Sequence, residues 1–175
     1  MSSTGTVFWI TGLSGAGKTS IANALYKKII NKNKNTILLD GDSLREVLSL
    51  ENEFEQKERI KLANTYSKLC KMIACQNINV IISTVSMFNE IRIWNRENIS
   101  KYKEIYIKVP IEILIKRDQK RLYSKALNGE IKNVLGINLS FEEPKEPDLT
   151  FINDGSFGIE EIANDIFLNI KSQNN

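Results

Sequence analysis

Apolar positions along this chain fall into two alternating patterns. Short, nearly continuous runs rich in β-branched residues occur at Val7–Thr11, Thr36–Leu39, Val80–Ser83, Ile105–Val109 and Leu149–Ile152. Runs of that length and continuity predict strands covered on both faces. Between them, apolar residues recur every three or four positions. This predicts helices over Lys18–Ile30, Leu44–Leu50, Gln56–Gln76, Asn89–Asn98, Ile111–Lys125 and Ile159–Lys171. In the third, Ile60, Ala63, Leu69, Ile73 and Ala74 form the expected apolar stripe. Pro110 opens the fifth, where a missing N–H is not needed. The alternation, with no internal repeat, predicts one α/β domain over residues 1–175: three layers, a central mostly parallel sheet and helices on both faces. Ligands in such sheets sit beyond the C-terminal strand ends, so the loops there carry the chemistry.

Composition narrows that chemistry. The chain has no histidine, which removes Ser-His-Asp and Cys-His catalysis, imidazole bases and histidine-ligated metals. Cys70 and Cys75 are five apart, too far for a CxxC pair, and read as reduced thiols. The net charge is only +3, and the basic residues are mixed with 21 acids, so no block reads as a nucleic-acid footprint. Val7–Ile10 is too short for a signal peptide or membrane span. The expectation is a cytoplasmic protein with neither a membrane nor a nucleic acid as partner.

Directly after the first strand stands GLSGAGKT, comprising Gly12, Leu13, Ser14, Gly15, Ala16, Gly17, Lys18 and Thr19, with Ser20 next in the helix. It satisfies G-x-x-x-x-G-K-[ST] in the strand–loop–helix context that makes the motif meaningful. Backbone amides of such a loop converge on an anion, helped by the dipole of the following helix. Lys18 is placed to reach the β- and γ-phosphates of ATP, and Thr19 to bind Mg²⁺. No Asn-Lys-x-Asp guanine motif follows a late strand; Asn31–Lys34 lacks the acid and comes too early. Val80–Ser83 leads into Ser83 and Thr84 without a carboxylate, so the metal acid must lie elsewhere.

It is found in Asp40-Gly41-Asp42, after a strand expected to neighbour the first. One carboxylate can serve the Mg²⁺ shell and the other can accept a proton from an attacking hydroxyl. A competing reading is that Asp42, before the capping box Ser43–Glu46, only favours a helix start. Arg45, one turn on, can pair with an anionic substrate. Arg117, Lys120, Arg121 and Lys125 precede Asn128-Gly129. They read either as a solvated helix face or as a mobile lid, about residues 117–135, that closes over the phosphates.

With these pieces in order, the chain resembles the adenylyl-sulfate kinase family from about Phe8 to Leu149. The matching text is WITGLSGAGKT, LLDGDSLR (Leu38–Arg45), RDQKRLYSKALNGEI (Arg117–Ile131), and LGI before FEEP (Phe141–Pro144). The resemblance implies a P-loop kinase fold and transfer of the γ-phosphate of MgATP to the ribose 3′-hydroxyl of a nucleotide 5′-anhydride. It also implies Asp42 as base, Arg45 and Arg59 as ligands of substrate anions, and Phe54 as a base-stacking ring. Arg117, Lys120, Arg121 and Lys125 become lid residues. Ser86 and Val134 fall at acceptor-binding positions, Asp40 joins Thr19 at the metal, and a homodimer is implied.

The acceptor side departs from the family pattern. Leu62 stands where the family has Asn, Asn64-Thr65 replace an Arg pair, and Val85–Asn89 replaces an Ile-Ser-Pro-x-Arg type segment. Val134 replaces a phenylalanine, Arg121 a glycine and Leu127 an arginine. Losing one face of an aromatic sandwich forfeits ~1–3 kcal/mol of base stacking. These departures read either as drift in a chain rich in Ile, Asn and Lys or as a changed acceptor, and within the family the chain resembles the kinases of capsule phosphoramidate biosynthesis. That resemblance implies cytidine 5′-diphosphoramidate as acceptor, with adenylyl sulfate as the alternative. A nucleotide-dependent switch without a small-molecule acceptor is the competing class.

Overall fold

A computed structural model describes residues 4–48 and 55–172. Five strands, β1 (Val7–Thr11), β2 (Thr36–Asp40), β3 (Asn79–Thr84), β4 (Tyr102–Lys108) and β5 (Leu149–Ile152), form one all-parallel sheet in the order β2-β3-β1-β4-β5. Every residue of β1 is buried, as its unbroken apolar text requires. Helices α1 (Lys18–Ile30) and α7 (Ile159–Ser172) pack together, and α3 (Gln56–Ala74) packs with α4 (Asn89–Asn98). The three-layer α/β expectation holds. So do the bounds of β1, α1, α4 and β5.

The strand order corrects one expectation. β2 does not neighbour β1; β3 lies between them. β4 begins at Tyr102, three residues before the apolar run, because Glu104 interrupts the apolar text. That carboxylate is buried, with Arg96 Nη2 at 3.0 Å and Arg92 Nε at 3.6 Å. Arg96 also holds Asp148 at 3.3 Å. The 141–148 segment is thereby fastened to β4 and α4, with Arg92 donating to the carbonyl of Glu142.

Three helices differ from the pattern for identifiable reasons. Helix α2 spans Gly41–Val47, not Leu44–Leu50, whose last two positions lie outside the described residues. Its N-cap is Asp40, whose Oδ1 accepts from the amides of Asp42 at 3.0 Å and Ser43 at 3.3 Å. The expected Ser43–Glu46 box is therefore not the cap, because Ser43 is already inside the helix. In α3 the buried face runs through Leu62, Ala63, Tyr66, Ser67, Cys70 and Ala74, while Leu69 and Ile73 sit on its flank. Tyr66 turns inward because its hydroxyl finds a backbone carbonyl there, donating to Gly41 O.

The fifth helix breaks. It becomes α5 (Ile111–Arg117), a single 3₁₀ turn (Gln119–Arg121) and α6 (Leu122–Leu127). Pro110 is the N-cap of α5, one position before the first turn. Asp118, Lys120 and Arg121 take left-handed φ values of 36°, 58° and 55°. The Asp118 carboxylate then accepts from the amides of Tyr123 (2.9 Å) and Ser124 (3.0 Å), starting α6 afresh. Cys70 is buried and Cys75 exposed, both as free thiols. Among the described residues no helix is long and apolar enough to cross a membrane.

Candidate active site

The loop between β1 and α1 is shaped by close backbone approaches. A Cβ on Gly12 would lie 2.4 Å from the carbonyl oxygen of Ile107, and one on Gly17 2.7 Å from Asn153 Nδ2. Only glycine lets these strands and loops meet. The outer side of the loop is tied down by three residues that sequence reading passes over or misplaces. Tyr123 donates to Ser14 O at 2.7 Å, Asn153 Nδ2 to Ala16 O at 2.9 Å, and Arg117 Nη2 to Asn153 O at 2.9 Å. Lys18 Nζ lies inside the loop, donating to Leu13 O at 2.9 Å. Burial pushes its ammonium down from the usual range to about 8, against the pull of Asp42 and Asp40.

Asp40 sits at the end of β2 facing that loop. Its Oδ2 accepts from Thr19 Oγ1 at 2.8 Å and from Ser83 Oγ at 2.7 Å. Partial burial opposes its charge, but the hydroxyls of Ser83 and Thr19 and the amides of Ser43 and Asp42 outweigh this. Its carboxyl is held below the usual range. Asp40 thus reaches the phosphate loop from two strands away. The adjacent Thr19 and Asp40 oxygens are hard donors, suited to Mg²⁺ beside phosphates. Among the described residues no group of three or more Asp, Glu or Cys is placed to hold a metal ion by itself.

Asp42, on the first turn of α2, projects into the same cleft. Its carboxylate has Arg45 Nη2 at 3.7 Å and Lys120 Nζ at 3.4 Å. The cleft measures about 770 Å³, within the range of small-molecule sites. It gathers Ser14, Gly15, Gly17, Lys18, Thr19 and Ser20 with Asp40, Asp42, Arg45, Arg59, Lys120 and Val134. Gly12, Leu13 and Ala16 build the loop without lining the cleft. Ser86 lines a recess of about 20 Å³ with Arg45, Arg59, Leu62 and Tyr66.

Other candidates are placed differently. Arg117 lies behind the loop, its Nη1 3.5 Å from Gly15 O. Arg121 is exposed and Lys125 half-buried, and neither lines the cleft. Phe54 lies outside the described residues. Arg59 donates to Asn133 O at 2.8 Å, tying α3 to the turn that presents Val134. Sequence reading finds no part for Ser83 or Asn153, although Ser83 lies one residue before the end of β3 and Asn153 just past the end of β5; position in the sheet is their only signal. It places Tyr66 and Tyr123 in helices and finds no further part for them.

The adenylylsulphate kinase family model matches residues 4–152. A cytidine diphosphoramidate kinase of Campylobacter jejuni is 46% identical over 155 residues, covering 89% of this chain and 90% of that protein. A probable adenylyl-sulfate kinase of Archaeoglobus fulgidus is 41% identical over 148 residues, covering 85% of this chain and 96% of that protein. Among solved structures, the Mycobacterium tuberculosis APS kinase in complex with AMPPNP and APS superposes with a TM-score of 0.87. The two are 28% identical, over 97% of this chain and 99% of that one. The chain therefore belongs to the adenylylsulphate kinase family, as a phosphotransferase that uses ATP to phosphorylate a nucleotide hydroxyl.

Proposed function

We propose that this kinase phosphorylates the ribose 3′-hydroxyl of cytidine 5′-diphosphoramidate, in capsule phosphoramidate biosynthesis. The observation that carries the reading is the 46% identity to the Campylobacter jejuni cytidine diphosphoramidate kinase across nine-tenths of both chains. The site supports it on the acceptor side. Val134, buried at the cleft wall, offers an aliphatic surface where a purine-stacking ring would otherwise stand, and Leu62 offers no hydrogen bond. Adenylyl sulfate is the second reading, favoured by the Archaeoglobus relative and by the complex with APS.

In this reading the loop from Gly12 to Ser20 holds the ATP phosphates, with Lys18 turning from Leu13 O to the β- and γ-oxygens. Thr19 and Asp40 would hold Mg²⁺, which would supply charge neutralisation for the transferring phosphates. Asp42 takes the proton of the acceptor hydroxyl as that oxygen attacks the γ-phosphorus in line, and the bond from that phosphorus to the β–γ bridging oxygen breaks to release ADP. Arg45 and Arg59 bind the 5′-anhydride anions, with Phe54 and Ser86 at the acceptor. Residues 117–135 act as a lid, in which Arg117 and Lys120 serve ATP, and Arg121 and Lys125 the acceptor. Because such transition states are loose, position and charge supply most of the rate. A homodimer in the cytoplasm completes the proposal.

ADP release with MgATP tests the acceptor, with cytidine 5′-diphosphoramidate and adenylyl sulfate each at low micromolar concentration. Turnover with the cytidine compound alone is expected. Preference for adenylyl sulfate overturns the acceptor assignment and leaves the kinase class intact. ATP hydrolysis indifferent to both would point to a switch.

A further inference from the structure

Tyr66 lies mid-way along α3, yet its hydroxyl reaches the acid pair. It is buried and donates to Gly41 O at 2.8 Å, on the residue that separates Asp40 from Asp42. The Arg45 side chain lines the same small recess as this phenol. From the opposite side, Gly41 is pressed onto the end of β3. A Cβ there would meet Ser83 O and Thr84 Oγ1, each at 3.1 Å. The Gly41 peptide is therefore gripped between β3 and α3.

That grip matters because α2 has only seven residues. A helix so short does not hold its own shape or position, and takes both from tertiary contacts. Asp40 caps its start, and Tyr66 holds the carbonyl of its first residue. Asp42 follows directly on that turn, and Arg45 one turn later. A phenylalanine at position 66 would fill the same core volume, so the hydroxyl's contribution lies in its polar contact with the Gly41 carbonyl.

We infer that Tyr66 is a positioning residue for phosphoryl transfer, its hydroxyl fixing the Gly41 carbonyl and thereby where the Asp42 carboxylate and Arg45 guanidinium stand in the cleft. The inference rests on the proposed role of Asp42 as proton acceptor, and it assigns Tyr66 no contact with the reacting atoms.

Tyr66→Phe in the full chain tests it. With whichever of the two acceptors the wild type turns over, kcat falls about tenfold while the Kd for ATP changes less than about twofold. Amide hydrogen exchange over Asp42–Val47 speeds up at least about fivefold, and exchange in β1 stays as in wild type. In an Asp42→Asn background the added Tyr66→Phe change costs only about threefold rather than tenfold, because one of the two groups it positions is gone. A merely structural tyrosine would give the same loss in both backgrounds. Wild-type kcat in Tyr66→Phe, the full loss persisting beside Asp42→Asn, or unchanged exchange in α2 each overturns the inference. If Asp42→Asn alone leaves turnover intact, the role of Asp42 fails and this inference with it. Loss in Asp42→Asn but not in Tyr66→Phe removes only the positioning role of Tyr66.

Discussion

Lys120 Nζ stands 3.4 Å from Asp42 Oδ2, closing the cleft between a broken helix and the acid pair. Three left-handed, non-glycine residues in the four positions 118–121 shape the turn that carries this ammonium. Such backbone persists where surrounding contacts impose it, and Asp118 capping α6 is one of them. Both partners of the pair are well exposed, so the contact is worth at most ~1 kcal/mol to folding. Lys120→Ala is therefore expected to leave the thermal midpoint nearly unchanged, while lowering kcat about a hundredfold through lost charge at the transferring group. Turnover equal to wild type would place Lys120 outside the reaction.

Asp42→Asn keeps the side-chain shape and removes its basicity. Turnover is expected to fall ~10²–10⁴-fold, the usual contribution of a positioned acid or base. ATP affinity by calorimetry stays within about twofold, because the phosphate loop is untouched. Full turnover in this variant would remove Asp42 from the mechanism.

Burial brings Lys18 to about 8, so in nucleotide-free protein its charge is lost as pH rises through that value. The folded value lies below the ordinary lysine value of 10.5 taken for the unfolded chain, so the unfolded chain holds more protons between the two. Lys18 therefore makes the free protein more stable as pH rises across that window. ATP phosphates demand the charged form. Binding at pH 9 is expected to take up close to one proton, against almost none at pH 6.5, and the Kd should weaken up to about tenfold per pH unit above 8. Calorimetry in two buffers of different ionisation enthalpy reads this directly. Lys18→Met should abolish the uptake, and uptake retained in that variant would assign the proton elsewhere.

The parts of the site that are legible in the sequence are those whose chemistry is local. GLSGAGKT declares itself through residue spacing, and Asp40 and Asp42 through their place after an apolar run. The all-parallel sheet is legible because its strands read as nearly unbroken apolar runs. Contacts made across the fold leave no such mark. Glu104 hides the first half of β4, since a buried carboxylate looks like a surface residue until Arg92 and Arg96 are seen beside it. Asp118 reads as one more polar position in a helix, while its left-handed backbone ends one helix and its carboxylate begins the next. Tyr66 shifts the buried face of α3 for a partner 25 residues away in sequence.

Asp40 combines two jobs that separate by substitution. Its Oδ1 caps α2, and its Oδ2 faces Thr19 and Ser83. Asp40→Asn keeps a capping oxygen and loses the charge, so stability should fall less than in Asp40→Ala while the Mg²⁺ needed for half-maximal turnover rises about tenfold. Asp40→Ala loses the cap as well, costing ~1 kcal/mol or about 2–4 °C in the thermal midpoint. Because its folded pKa is depressed, the stability Asp40 contributes is present above the unfolded value of 3.8 and is lost as pH falls through the folded one. The gap in midpoint between wild type and Asp40→Ala should therefore narrow on acidification below about pH 4. A constant gap would locate the stabilisation in something other than the carboxylate.

Acceptor choice turns on Val134 and Leu62. Val134 is buried where the cleft wall turns. Its amide is held by Asn138 Oδ1 at 2.7 Å, and the turn is tied to α3 through Arg59 and Asn133. A ring placed there would be presented on a fixed turn to a base in the cleft. Val134→Phe restores one face of a purine sandwich, worth ~1–3 kcal/mol, or about 5- to 150-fold in kcat/KM for adenylyl sulfate. Leu62→Asn adds a donor and an acceptor beside the Arg59 guanidinium, so the double variant should exceed either single one. Turnover of cytidine 5′-diphosphoramidate should fall over the same series, because the smaller base meets a crowded wall and the introduced amide brings polar atoms that it leaves unmatched. The measurement is the ratio of the two kcat/KM values across the four proteins. A ratio that stays flat while ATP affinity is retained would show that these side chains do not set the acceptor, and would move the search to residues 85–89.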